Sequence, residues 1–193
     1  MHSDWNTHSK ADIQHDHLSA LWNKETGEQL LTDCIRTAKA QSTSFLVVLL
    51  AINDLHPINK ICGHQEGDRV LQRVAEKIRG SLQTGDFAIR LGGDEFLLVF
   101  KQLSKKEARN QLYQLQSELH TESKELPYVM GFCFGMTRVD PDMELSLKKI
   151  IMRADDEKYV SMRRYNMEKS RQAFALHPYQ ESEEVRQYYY KKD

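Results

Sequence analysis

The stretch "FAIRLGGDEFLLVF", residues 87–100, sets Gly92-Gly93-Asp94-Glu95 between two short apolar runs. Glycine adopts positive φ without steric cost, so a Gly-Gly pair between strand-length runs predicts a β-hairpin. The tip of that hairpin carries two adjacent carboxylates, Asp94 and Glu95. A turn has no need of paired acids, whereas a divalent cation does: Mg²⁺ takes oxygen ligands and is held by one or two carboxylates plus substrate phosphates. Glycines beside such a site let a substrate come close to the backbone.

Working outward, "SFLVVLLAI" (44–52) is a continuous apolar run of strand length and suits a central strand buried on both faces. A helical period runs from about Asp16 to Ala40, carried by Leu30, Leu31, Cys34, Ile35 and Ala38. "HQEGDRVLQRVAEKIRGSL" (64–82) aligns Val70, Leu71, Val74, Ile78 and Leu82 on one helical stripe. "SKKEARNQLYQLQSELH" (104–120) predicts a helix opened by a capping box of Ser104 and Glu107. "YVMGFCFGM" (128–136) predicts a strand, and 144–165 a last helix. The order is helix, β-α-β-β-α-β, helix: an α+β, ferredoxin-like core with a mainly antiparallel sheet, its helices expected on one face. In that fold the strand ending near Ile52 and the hairpin are central neighbours, so their ends can share a cation.

Composition narrows the class. The chain has 193 residues, enough for one packed domain, and a net charge of −1, which leaves no positive field to hold nucleic acid. Its longest apolar run, Phe45 to Ile52, is too short to span a bilayer. The three cysteines, Cys34, Cys62 and Cys133, have no CxxC spacing and read as reduced thiols of a cytoplasmic protein. Eight histidines show no zinc-binding spacing, and His64 reads as a structural residue packing its loop. Residues 1–15 read as a flexible lead-in, 16–176 as the domain and 177–193 as a polar tail ending in tyrosines and lysines.

"RLGGDEF" (90–96) resembles the signature of the GGDEF domain, the diguanylate cyclase domain of bacteria. The likeness extends to "DHLSALWNKETGEQLL" (16–31), to "INKICGHQEGDRVLQRVAEKIR" (58–79) and to "RADDEKYVSMRRYN" (153–166). The last is a worn form of the family's A-D-x-A-L-Y-x-A-K-x-x-G-R-N ending. The resemblance implies condensation of two GTP into cyclic di-GMP with Mg²⁺ or Mn²⁺, by two domains facing each other in a homodimer. Such a domain commonly follows a sensor, which these residues do not include. The implied guanine-binding pair is Asn59 and Asp68. An amide that donates and a carboxylate that accepts match the edges of guanine, although Asp68 suits a helix N-cap equally well. Asp94 falls on a metal ligand, Glu95 on the residue implicated in activating the 3′-hydroxyl, and Arg90 precedes the glycines. Ile52 would offer its backbone carbonyl to the metal.

Other positions depart from the family. The strand-one metal ligand falls on Ala51, and the triphosphate-binding Lys and Arg fall on Met162 and Asn166. The Arg of the R-x-x-D product-inhibition site falls on Gln83. A charge-assisted hydrogen bond is worth about 1.5–3 kcal/mol, so losing two cations weakens triphosphate binding by orders of magnitude. Arg163 and Arg164 are candidates to compensate. Asp54, three residues past Ala51, would point to the opposite face of a regular strand. The resulting expectation is a GGDEF domain that is weak or inactive as a cyclase and serves as a guanine-nucleotide-binding or regulatory module. The alternatives are an active cyclase and a protein-interaction domain without nucleotide.

Overall fold

A computed structural model of the chain describes residues 14–144 and 146–176. The expected tail at 177–193, and the lead-in up to residue 13, lie outside the described residues. In chain order the elements are α1 (Lys24–Gln41), β1 (Phe45–Ile52), α2 (Leu55–Cys62), α3 (His64–Ser81), β2 (Phe87–Gly92), β3 (Glu95–Phe100), α4 (Lys105–Glu122), β4 (Phe132–Val139) and α5 (Leu147–Leu176). The strands form one sheet in the order β2-β3-β1-β4, and every neighbouring pair is antiparallel. This is the expected ferredoxin-like arrangement, with β1 and β3 as central neighbours.

β1 is buried along its whole length, as its unbroken apolar run predicts. Leu46, Val48, Leu50 and Ile52 face one core together with α3 and α4 residues such as Val70, Val74, Ile78, Leu112 and Leu119. Phe45, Val47 and Leu49 face a second core with Leu31, Cys34 and Ala38 of α1 and Ile150 and Ala154 of α5. Helices therefore cover both faces of the sheet, not one. A strand apolar at every position needs a cover on each side, and α1 and α5 supply the second.

Other boundaries also shift. Residues 16–23 form a turn and not the start of a helix. The Asp16 carboxylate accepts from the Ser19 amide and hydroxyl, Ala20 takes positive φ, and α1 begins only after Asn23, whose side chain caps the Thr26 amide at 2.9 Å. The turn lies against the hairpin: Trp22 exchanges backbone hydrogen bonds with Ala88 and Arg90. α2 was not expected. It is eight residues long and carries Pro57 in its first turn, where the missing N–H costs nothing. β4 begins at Phe132, four residues later than the pattern suggests, and α5 runs on to Leu176. The α4 capping box forms as expected, with the Ser104 amide donating to Glu107 and the Glu107 amide to Ser104. All three cysteines are free thiols. No helix among the described residues is long and apolar enough to cross a membrane.

α5 is seated on β4 with no space to spare. A Cβ at Gly135 would lie 2.1 Å from the Ala154 carbonyl oxygen and 2.2 Å from the Lys158 nitrogen, both backbone atoms that cannot swing away. The helix also covers the exposed edge of β4, where Glu157 accepts from the Met136 amide at 3.0 Å. Gly135→Ala is expected to lower stability by about 2–3 kcal/mol, read as a reduced denaturation midpoint at unchanged m-value.

The N-terminal turn is joined to the hairpin by an ion pair, with Arg90 Nη1 3.0 Å from Asp16 Oδ1. Burial alone would raise the Asp16 pKa, but the Ser19 hydrogen bonds and Arg90 outweigh it and hold the carboxyl below its ordinary 3.8. A folded value below the unfolded one adds stability above the ordinary carboxylate pKa, and that stability is lost as pH falls through the folded value. Asp16→Asn is therefore expected to lower stability at neutral pH and to flatten the acid limb below about pH 4, measured as thermal midpoint against pH.

Candidate functional site

The hairpin turn is Gly93-Asp94, flanked by the Gly92–Glu95 pair. Gly92 and Gly93 have φ of 132° and 55°, conformations costly to residues with a Cβ. Arg90 reaches over the turn and donates from Nη2 to the Gly93 carbonyl at 2.9 Å while Nη1 holds Asp16. The guanidinium thus sets the shape of the signature loop from inside. The Asp94 carbonyl accepts from the Ile52 amide at 3.1 Å, which joins the tip directly to the end of β1.

Register places Ala51 opposite Glu95 on one side and Cys133 on the other. By strand alternation all three face α5. The residue of α5 that meets them is Lys158. It is buried, and its ammonium is hydrogen-bonded to Glu95 and lies 3.0 Å from Asp155 Oδ1. Burial by itself would lower the Lys158 pKa. The hydrogen bonds and charges of Glu95 and Asp155 more than offset it and hold the ammonium above its ordinary value of 10.5, so the group stays charged at neutral pH. Burial pushes the neighbouring Cys133 thiol up, against hydrogen bonds with Ser161 and Asn53 that lower it.

Sequence reasoning missed Lys158, although a signal was present. Ile150, Ala154 and Lys158 are spaced four apart on the buried stripe of α5, and Lys158 falls on the leucine of the A-D-x-A-L-Y ending. A lysine on an apolar stripe is rarely buried without a partner, and that partner is Glu95.

Asp54 is also placed differently from expectation. β1 ends at Ile52, so strand alternation no longer governs it. Its backbone is left-handed at φ 55° and turns the side chain toward α5. There Asp54 Oδ2 accepts from Tyr165 Oη at 2.7 Å and from Lys169 Nζ at 2.6 Å. Arg163 and Arg164 are exposed, as is Asn166, and Met162 is half-buried. The cation that α5 brings to Asp54, after the end of β1, is therefore Lys169, one turn beyond the position the resemblance singled out.

Asn59 and Asp68 lie on α2 and α3, which pack against each other. Asp68 is an exposed residue of the second turn of α3, not its cap, because the helix starts at His64 with Gly63 before it. His64 itself is exposed and does not pack the loop. Asn59 Oδ1 is buried and has no hydrogen-bond partner. It lies where a Cβ of Gly67 would be, at 1.8 Å, so only glycine at 67 leaves room for the amide. The start of α3 is braced by Glu66, which accepts from Tyr128 Oη at 2.6 Å and from Arg69 Nη1 at 2.7 Å. Burial and this bond to Glu66 push the Tyr128 pKa up to about 12. At Gln83 the Asp86 carboxylate is spent on local structure, accepting from the Gln83 and Lys101 amides. Two shallow grooves, of about 450 and 420 Å³, lie along α3, one of them against α4 and neither at the hairpin.

Comparison with known proteins agrees with this geometry. The chain is 24% identical over 162 residues to the diguanylate cyclase DosC of Escherichia coli K12, an alignment covering 81% of this chain and 34% of DosC. It is 34% identical over 101 residues to the diguanylate cyclase TpbB of Pseudomonas aeruginosa PAO1, covering 52% of this chain and 23% of TpbB. It thus spans about a third or less of these curated relatives. Among solved structures it matches the GGDEF domain of DgcB from Caulobacter crescentus in complex with c-di-GMP, with a TM-score of 0.73 and 25% identity over 81% of this chain and 94% of that one. The family model for the diguanylate cyclase GGDEF domain matches residues 13–167. The chain therefore belongs to the GGDEF domain family, the diguanylate-cyclase-like domains of cyclic di-GMP signalling.

Proposed function

We propose that this chain works in cyclic di-GMP signalling as a guanine-nucleotide-binding module that turns GTP over slowly or not at all. The observation that carries this reading is the contrast between the two ends of the site. At the base end, Asn59 of α2 holds a buried oxygen with no partner, cleared by Gly67, the residue before Asp68 on α3. A buried polar atom without a partner is costly and is explained by a ligand that completes it. At the phosphate end, Met162 and Asn166 offer no charge, and the nearby cation, Lys169, is engaged by Asp54.

Diguanylate cyclases of this family use GTP and Mg²⁺. In this chain the donor set at the strand end does not fit a divalent cation. Ala51 contributes no oxygen and an ammonium already holds Glu95. That leaves Asp94 and the Ile52 carbonyl, too few to hold the cation, and the chain's own residues carry the proposed role without it. Arg90 shapes the loop, its Nη1 and Nη2 donating to Asp16 and Gly93 while its buried Nε is left without a partner. Condensation of two GTP requires two domains face to face, whereas binding one nucleotide does not, so the proposed role places no demand on a homodimer.

Calorimetry with GTP and with guanosine tests the reading. Asn59→Ala is expected to weaken both by about tenfold, the worth of a hydrogen bond that otherwise leaves a buried group unpaired. Met162→Lys with Asn166→Arg is expected to favour GTP over guanosine by about tenfold or more, since each restored charge-assisted bond is worth about 1.5–3 kcal/mol. Rapid formation of cyclic di-GMP by the unmodified chain, abolished by Glu95→Gln, would overturn the reading in favour of a working cyclase. Binding of neither ligand would favour a protein-interaction domain.

A further inference from the structure

We propose that the Lys158 ammonium stands in for the divalent cation of the family's site, so that the signature hairpin is counter-charged and held by the chain itself. The inference goes beyond guanine binding and holds whether or not nucleotide binds.

Three independent observations converge on it. The position that would bring a carboxylate opposite Glu95 carries the methyl group of Ala51. The α5 position packed over that gap carries a lysine whose side chain is only 8% exposed and whose ammonium contacts Glu95 and Asp155. The helix that carries it cannot slide away, because its backbone at Ala154, Glu157 and Lys158 rests on Gly135 with no room for even a methyl group.

The exchange of charge is in the right sense. Ala51 removes one carboxylate that a dication would need, and Lys158 sets a positive charge against the signature acid Glu95, sharing it with Asp155. Ala51 and Lys158 thus act together: fewer acids at the strand end, and an ammonium in place of a metal. A divalent cation that approaches Glu95 must displace Lys158, which leaves a buried ammonium with Asp155 alone, and must also approach a like charge at contact distance. Lys158 also does mechanical work that a metal would do elsewhere. It fastens the β3 end of the hairpin to α5, while Tyr165 and Lys169 fasten the turn after β1 to the same helix through Asp54.

The test is a titration of the whole chain with Mn²⁺ alone, followed by its electron paramagnetic resonance signal, with nucleotide absent throughout. The unmodified chain is expected to take up no Mn²⁺ at the strand end, and millimolar Mg²⁺ is expected to leave its melting temperature unchanged. Ala51→Asp with Lys158→Leu exchanges the pair back. It is expected to bind Mn²⁺ about tenfold or more tightly than either single variant, since both positions act on Glu95 and couple, and to melt higher in Mg²⁺. The proposal is overturned if the unmodified chain binds Mn²⁺ and Glu95→Gln removes that binding. It is equally overturned if Ala51→Asp alone binds as tightly as the double variant, or if the folded double variant binds no better than the unmodified chain. Should the double variant fail to fold, the comparison of the unmodified chain with Glu95→Gln still decides. Because no nucleotide is present, failure here leaves the guanine reading standing, and failure of guanine binding leaves this result standing.

Discussion

The contact between Lys158 and Glu95 organises the end of this molecule that matters. It exists because α5 lies flat on β4 at Gly135, which brings a side chain on the buried stripe of the helix directly over the ends of β1 and β3. A lysine there has nowhere to go except to a carboxylate. Its aliphatic stem packs with the core while its head reaches the half-exposed Glu95. The hairpin tip is thus held from three directions: by Lys158 on the α5 side, by Arg90 across the turn, and by the Ile52 amide beneath it.

That arrangement divides the proposed nucleotide site. The base end is built from α2 and α3, whose close packing at Gly67 leaves an amide oxygen of Asn59 buried and unmet. It owes nothing to α5. The phosphate end is built by α5 and the strand ends, and there Lys158 is engaged by Glu95 and Asp155 and Lys169 by Asp54, while Arg163 and Arg164 are exposed. A phosphate group approaching this end finds ion pairs already formed, and breaking them cancels much of what it would gain. Guanine recognition and phosphoryl chemistry can therefore be lost separately, and the proposed function keeps the first without the second.

Much of the architecture was legible in the sequence. The run Phe45–Ile52 announced a strand buried on both faces, the Gly-Gly pair announced the hairpin, and Ser104 with Glu107 announced a helix start. What escaped was set by tertiary contact. The Asp16–Ala20 turn was mistaken for helix because its hydrogen bonds run to Ser19 and to Arg90, far along the chain. α2 was too short to show a period. Asp54 could be read only on the assumption that the strand continued, and it does not. In the site, the losses at Ala51, Met162 and Asn166 were visible by position, but the gain at Lys158 was not. A lysine in a helix reads as a surface residue until the helix is seen to rest on the sheet.

Nucleotide at the α2–α3 end and the lack of metal at the hairpin tip are the two halves of the proposed function. Nuclear magnetic resonance of the labelled chain with GTP and Mn²⁺ measures both at once, since bound Mn²⁺ broadens nearby amide signals. The account predicts shift changes centred on Asn59, Gly67 and Asp68, with Gly92, Gly93, Asp94 and Glu95 left sharp. Selective broadening of Asp94, Glu95 and Ile52 would contradict it.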